Sequence, residues 1–300
     1  MFWKSGLEPQ KMKVKVKKVN AFTDSKTGGN PAGVFINPPD LTDEQMALIS
    51  KKLNVSETAY VSSDEKYDYK LRFFSPSIEV DLCGHATIAS FFTMAEKGFI
   101  SSDTSVVTQK TKAGLLAVEL IFSDDEIERI MMTQGKLVYK NISLNISNIA
   151  ESLNIDKKEI DTSIPKQIVS TGLFTLPLCV KSYKILKDMK PNFLTVDKIC
   201  RKIGVGSFHV FTFDTIEKNS LYHARNFAPF YSINEDPVTG TANGAVCSFL
   251  AENKIIKYDD IICEQGDIIG RKGRVHVELK NNIVKVGGRA KYVEEKEIDI

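Results

Sequence analysis

Four side chains could move protons, three of them beside two glycine turns. Glu57 stands between Ser56 and Thr58, and Asp236 opens the run Asp236-Pro237-Val238-Thr239-Gly240-Thr241. A carboxylate lodged in a dry cleft loses solvation and can then take and return protons near neutral pH. Taken singly, each acid has a plainer reading: Glu57 as a solvated residue at a strand start, and Asp236 as a turn residue chosen for its backbone. His85 directly follows Gly84, and a neutral imidazole there can shuttle a proton. Cys83 precedes the same glycine, where a helix N-terminus favours the thiolate and would make it a nucleophile or base. A two-thiol racemase needs a second cysteine, and the turn at Gly240 carries Thr239 instead. The remaining histidines, His209, His223 and His276, lie in strand-like surroundings and read as packing or surface residues. No Ser-His-Asp order, dinucleotide fingerprint or metal-ligand cluster appears elsewhere.

An internal repeat positions the two turns. Tyr69, Arg72, Phe74 and Pro76 share the pattern Y-x-x-R-x-F-x-P with Tyr222, Arg225, Phe227 and Pro229. Downstream, Gly84-His85-Ala86 and Gly240-Thr241-Ala242 each open a segment that begins with small residues and continues with apolar ones, such as Phe91 and Phe249. Each copy therefore reads as strand, Pro-marked loop, glycine and buried helix, and a buried helix calls for a sheet curved around it. If the halves face each other, two helix N-termini converge on one cleft. Each offers free N–H groups and a partial positive charge to an anion of carboxylate size.

Local patterns supply the rest of the architecture. Lys13, Lys15 and Lys17 alternate with Val14 and Val16, which is the period of a half-buried strand and not of a basic patch. Thr42 and Gln45 have capping-box spacing and Leu41 can staple to Met46, so a helix is predicted over 43–53, ending before Asn54. Strands are predicted at 34–36, 56–61, 67–74, 106–108, 115–122 and 127–132. The polar stretch 142–165, with a helical patch near 149–153, reads as the passage between halves, giving domains 1–140 and 141–300. The fold class is α/β (α+β), with two pseudo-symmetric domains, each a curved mixed β-sheet around a central helix.

The bulk numbers exclude several classes of function. A chain of 300 residues with 42% hydrophobic and 26% charged content is neither disordered, collagenous nor coiled coil. Forty basic against 38 acidic residues, a net +2, argue against a nucleic-acid partner. Five scattered cysteines without a CxxC pair predict reduced thiols and a cytoplasmic protein. Residues 1–11 contain no signal-peptide core, and no apolar run approaches the ~20 residues of a membrane span.

At these residues the chain resembles the phenazine-biosynthesis PhzF-like family, within the diaminopimelate-epimerase-like fold, over nearly its whole length. The carriers are Val19-Asn20-Ala21-Phe22-Thr23 leading into Gly29-Asn30-Pro31-Ala32-Gly33-Val34, then Asn54-Val55-Ser56-Glu57-Thr58-Ala59, Asp81-Leu82-Cys83-Gly84-His85-Ala86-Thr87, and Glu235-Asp236-Pro237-Val238-Thr239-Gly240-Thr241-Ala242. The resemblance implies a site between two like domains, usually in a homodimer, and isomerisation without metal or organic cofactor; its phenazine member acts on a dihydro-hydroxyanthranilate. It implies catalytic roles for Glu57, His85 and Asp236, and substrate contacts for Asn30, Cys83, Gly84, Gly240 and Thr241. Two positions depart from that member: Thr241 replaces the serine of a Gly-Ser-Ala run, and Cys83 replaces a non-thiol residue. Related racemases and epimerases carry a catalytic cysteine at the latter turn.

The expectation is a cofactor-independent isomerase that transfers a proton on a small cyclic or amino carboxylic acid. Its rivals are a racemase, epimerase or dehydratase using Cys83, and a non-catalytic metabolite-binding protein.

Overall fold

Alternating lysine and valine build the first strand, β1 (Lys13–Ala21), with Val14 and Val16 buried and Lys13 and Lys15 turned to solvent. The protein is seen in a computed structural model that describes residues 12–143, 145–257, 260–281 and 283–300. The reading of residues 1–11 as free of a signal-peptide core lies outside these. After β1 come β2 (Asn30–Ile36), α1 (Asp43–Leu53), β3 (Thr58–Ser63), β4 (Tyr69–Phe74), β5 (Glu79–Val80), α2 (Gly84–Glu96), β6 (Val106–Thr111), β7 (Gly114–Ser123) and β8 (Glu126–Thr133). Next are β9 (Val138–Asn141), α3 (Ile146–Ser152), β10 (Gln167–Ser170), β11 (Thr175–Cys179), α4 (Tyr183–Asp188), α5 (Phe193–Ile203), β12 (Ser207–Thr212), β13 (Tyr222–Ala228) and β14 (Ile233–Asp236). The chain closes with α6 (Gly240–Glu252), β15 (Asp260–Gln265), β16 (Gly273–Lys280), β17 (Ile283–Gly288) and β18 (Ala290–Asp299).

The capping box at α1 forms as its spacing requires: Gln45 N–H donates to Thr42 Oγ1, and Thr42 N–H donates to Gln45 Oε1. Asn54, in the left-handed region at φ 55°, ends the helix. Leu41 and Met46 are buried in one cluster, as the staple predicts.

Duplication is visible in the strand pairing. β2 runs parallel to β3, β3 antiparallel to β4, and β4 antiparallel to β5; β11, β12, β13 and β14 repeat that sequence of directions. The halves exchange strands. β9 follows β8 but pairs with β10, while β18 follows β17 but pairs with β1. β8 and β17 join antiparallel, so all the described strands form one continuous mixed sheet. Helix α2 packs against β1, β2, β3, β8 and β18, and α6 against β10, β11, β12, β16 and β17. Each is therefore a central helix inside its own half's curved sheet, and both contribute to one central apolar cluster.

The repeated Y-x-x-R-x-F motif has a physical cause in each letter. Arg72 forks onto Glu79 at 2.8 and 3.0 Å, and Arg225 onto Glu235 at 2.9 and 2.7 Å. Each guanidinium also lies 4.8 Å from the ring of the phenylalanine two residues on, Phe74 or Phe227. The tyrosines meet the central helices: Tyr69 packs edge-on against Phe91 of α2, and Tyr222 donates its hydroxyl to Asn243 Oδ1 of α6. The copies differ in burial. Arg225 is 8% exposed and also donates to the carbonyls of Leu186 and Met189, whereas Arg72 is 30% exposed and shares an exposed Asp43. Arg225→Ala strands a partly buried carboxylate and two carbonyls and should cost about 3–5 kcal/mol; Arg72→Ala should cost about 1 kcal/mol or less. Chemical-denaturation midpoints of the two variants check the difference.

Candidate active site

Parallel pairing of β2 with β3 sets the first group of side chains. Gly33 N–H donates to Glu57 O, so Glu57 sits at the entrance of β3, beside the start of β2 where Asn30 lies. His85, in the first turn of α2, brings its Nε2 to 3.4 Å from Glu57 Oε2 and 3.2 Å from Ser56 Oγ. Its Nδ1 lies 3.3 Å from Cys83 Sγ. Glu57 and His85 are half-buried and Cys83 is buried. One ligand atom from each of Glu57, Cys83 and His85 lies within 4.8 Å of the others, so this trio could also hold a metal ion. Asp81 stays apart, exposed and 3.6 Å from Lys112.

The second group hangs from β14. A register shift in the β13–β14 pairing, just past the Asn226–Asp236 partners, marks a bulge where the strand ends at Asp236. Asn30 Nδ2 donates to Asp236 Oδ1 at 2.8 Å and to Val238 O at 2.9 Å, crossing from one half to the other. Thr239 Oγ1 donates to Asp236 Oδ2. Beneath them, buried Gln265 ties the turn at both ends of its amide. Its Nε2 donates to Asp236 O and Thr239 Oγ1, and its Oε1 accepts from Thr239 N–H and Asn243 Nδ2. Because Thr239 Oγ1 accepts from Gln265, its own proton is directed at Asp236.

The two groups feel each other. Burial pushes the Asp236 carboxyl up to about 6; the Thr239 hydroxyl and the His85 charge pull it down, Glu57 pushes it up again, and Asn30 lowers it. The Cys83 thiol is held well above its ordinary value, first by burial and then by the charges of Glu57 and Asp236, against one stabilising bond from the Ala86 N–H. This corrects the expectation that the helix start would favour a thiolate: desolvation and two nearby carboxylates outweigh the dipole. His209, read from the sequence as packing, is buried and pushed down to about 4, hence neutral, with Nδ1 3.2 Å from Asn226 Oδ1.

The helix N-termini face this region without a side-chain cap from Cys83 or Thr239 and without an acid in either first turn. At α2 the space is open, since a Cβ on Gly84 would meet nothing within 4 Å. At α6 it is filled: a Cβ on Gly240 would come within 2.9 Å of Phe22 Cζ. Phe22 is buried and held at φ 63°, a conformation costly for an aromatic residue. Gly240→Ala should therefore destabilise by about 1–3 kcal/mol, while Gly84→Ala should leave the melting temperature unchanged or slightly higher; calorimetry of the two variants separates them. Thr241 lies against the 171–172 loop, its carbonyl 3.5 Å from Thr171 Oγ1.

The structure brings Glu57, Cys83 and His85 together and links Asn30 to Asp236, while Thr241 lies at the start of α6 beside Thr171. Sequence reasoning passed over Gln265 and Asn243, whose roles rest on burial and on contacts between distant segments, and Ser56, which was read only as a neighbour of Glu57.

A family model described as phenazine biosynthesis-like protein, PhzC-PhzF, matches residues 19–296. An uncharacterized isomerase of Clostridium acetobutylicum is 39% identical over 293 residues, covering 93% of this chain and 96% of that protein. The crystal structure of a PhzF-family phenazine biosynthesis protein from Bacillus anthracis superposes with a TM-score of 0.89 at 31% identity, covering 96% of this chain and 100% of that one. A hydroxyproline epimerase from Agrobacterium vitis, at 14% identity and a TM-score of 0.60 over 100% of this chain and 94% of its own, shares the fold alone. The diaminopimelate-epimerase-like architecture and the motif resemblance agree with these matches, and the chain belongs to the phenazine biosynthesis-like PhzC-PhzF family of isomerases.

Proposed function

We propose that the protein isomerises a small cyclic or amino carboxylic acid by moving a proton between two atoms of it, without an organic cofactor, in the cleft between the halves. Glu57 takes the proton from carbon. Asp236, on the other side of the cleft, delivers one in its protonated form, and His85 keeps Glu57 supplied with a partner for the proton it has taken. The open N-terminus of α2, with Thr241 at the start of α6, holds the substrate carboxylate. The observation that supports this reading most is the Asn30 amide, which donates to Asp236 Oδ1 at 2.8 Å and so ties that carboxyl, pushed up by burial, to the half of the chain that carries the Glu57–His85 contact. Two titratable carboxyls in unlike surroundings are the usual arrangement for dividing base and acid roles at one pH.

A thiol-based racemase has one favourable contact, Cys83 Sγ to His85 Nδ1 at 3.3 Å. Burial and the adjacent carboxylates oppose the thiolate it would need, and Thr239 stands in the matching turn. A dehydratase would change the substrate's mass; an isomerase would not.

No helix among the described residues is long and apolar enough to cross a membrane. The five cysteines are all buried free thiols, which supports a cytoplasmic compartment. The test of the function is a turnover screen by proton NMR and mass spectrometry across small cyclic and amino carboxylic acids, a dihydro-hydroxyanthranilate among them. A product of unchanged mass is expected. Loss of water points to the dehydratase reading, and tight binding with no turnover to a metabolite-binding protein.

A further inference from the structure

Arg271 is a half-buried cation without an acid. Its neighbours Lys272 and Arg274 take Glu217 and Asp267, whereas no carboxylate among the described residues pairs with Arg271, and burial lowers its pKa. Its donors go to neutral oxygens instead. Nε donates to Gly29 O at 3.0 Å and Nη2 to Asn20 Oδ1 at 3.2 Å, so the planar guanidinium forks across two points of the 20–30 segment. Asn20 is buried, and its own Nδ2 donates to Lys26 O, which aims Oδ1 at the fork. The clasp is reciprocal: Gly29 N–H donates to Lys272 O at 2.9 Å and to Arg271 O at 3.2 Å.

The same turn reaches Asp236 from behind. Gln265, at its start, holds Asp236 O and Thr239 Oγ1. Gly266, at φ 89°, lies so close to Pro237 O that a Cβ there would come within 2.8 Å, and its carbonyl accepts from Arg271 N–H at 2.8 Å. The turn 265–272 therefore grips both ends of the Asn30–Asp236 hydrogen bond. A plain loop clamp would need no more than the backbone bond from Gly29 to Lys272. Desolvating a guanidinium for two neutral oxygens is costly, and what it adds is direction: Gly29 O shares its rigid peptide plane with Asn30 N, so fixing that oxygen fixes where the Asn30 side chain departs.

We infer that Arg271 is a positioning residue for Asp236: its fork fixes the Gly29–Asn30 peptide and so holds the Asn30 amide on the Asp236 carboxyl, from one half of the chain to the other. The groups that face Asp236 are Asn30, Glu57, His85 and Cys83 from the first half, and Thr239 and Gln265 from its own. Burial raises the carboxyl, and Asn30, which donates to its ionised form, lowers it, so a loosened Asn30 lets Asp236 keep its proton to higher pH. The positioning is independent of any activity; only its effect on turnover rests on the proposed isomerase reading.

Carbon-13 NMR of the aspartate carboxyls, with Asp236→Asn to assign the signal, follows the titration without a substrate. Arg271→Met should move the Asp236 midpoint upward by about 0.5–1 pH unit, the worth of one hydrogen bond. Arg271→Lys, which keeps the charge but not the fork, should move it in the same direction, and carries the test should Arg271→Met prove misfolded by circular dichroism. Asn30→Ala should reproduce the shift, and adding Arg271→Met to it should shift nothing further. An unmoved midpoint in folded Arg271→Met overturns the proposal. So does a shift that Arg271→Lys lacks, which would mark the effect of charge alone, or one that persists in full on top of Asn30→Ala. Once a substrate is in hand, the falling limb of kcat/KM should move with the midpoint while KM changes by no more than a few-fold. A moved midpoint with an unmoved limb would uphold the positioning by Arg271 and contradict Asp236 as the proton donor.

Discussion

Glu57→Gln is expected to lower kcat by at least about 10²–10⁴-fold while the protein stays folded and KM changes by only a few-fold. A positioned general base contributes an acceleration of that order, and glutamine keeps the shape of the side chain and its backbone bond to Gly33 while removing the lone pair that takes the proton. KM should hold because the proposed mechanism rests the substrate anion on the start of α2 and not on Glu57. The substitution has a second signature. The charge of Glu57 is one of the causes that raise Asp236, so any residual activity should show its acid–base limb at lower pH than the wild type. Steady-state kinetics across pH read both effects. Wild-type kcat in the folded variant would remove Glu57 from the mechanism.

Asp236→Asn is expected to trade activity for stability. A carboxyl that must be protonated to donate and titrates at about 6 predicts that wild-type kcat/KM falls tenfold per pH unit above that value. The asparagine variant cannot donate and should lose at least about 10²-fold in kcat. The sign of the stability effect follows from linkage. The folded carboxyl holds its proton to about 6, whereas an unfolded aspartate releases it near 3.8. Between those values the native state binds the extra proton, so stability falls as pH rises through the window and stays lower above it. A shift of this size corresponds to about 3 kcal/mol. Asparagine removes the penalty but sets an N–H against the donors Asn30 and Thr239, so a net gain of about 1–2 kcal/mol is expected at pH 8, and none at pH 4. Denaturant titrations at the two pH values check it. Activity that rises through pH 6 would mean that Asp236 works ionised.

Much of this site was legible because duplication left marks in the sequence. Arg72 and Phe74 repeat as Arg225 and Phe227 since each makes the same contact twice, Tyr69 and Tyr222 both meet a central helix though by different contacts, and Gly84 and Gly240 mark the starts of the two buried helices. Local rules placed α1 to the residue, because a capping box and a left-handed Asn54 depend only on near neighbours. The strand exchange was not legible: β9 and β18 pair with partners set by the whole topology, and nothing in their own residues names the half they join. Nor was the protonation of Cys83, since the sequence shows its helix start but not the burial and carboxylates that overrule it. Gln265 escaped for the same reason. Its neighbours Glu264 and Gly266 match no motif, and only the fold brings its amide under Asp236 and Thr239.

The division of labour between the two carboxyls is tested most directly by following the substrate carbon-bound proton in D₂O by NMR, with wild type, Glu57→Gln and Asp236→Asn in parallel. The wild type should form product carrying solvent deuterium. Asp236→Asn should wash deuterium into the recovered substrate while forming little product, because the base is intact and delivery is not. Glu57→Gln should show neither exchange nor product. Exchange at the wild-type rate in Glu57→Gln, or its complete loss in Asp236→Asn with Glu57 in place, would contradict a mechanism in which Glu57 takes the proton and Asp236 delivers one.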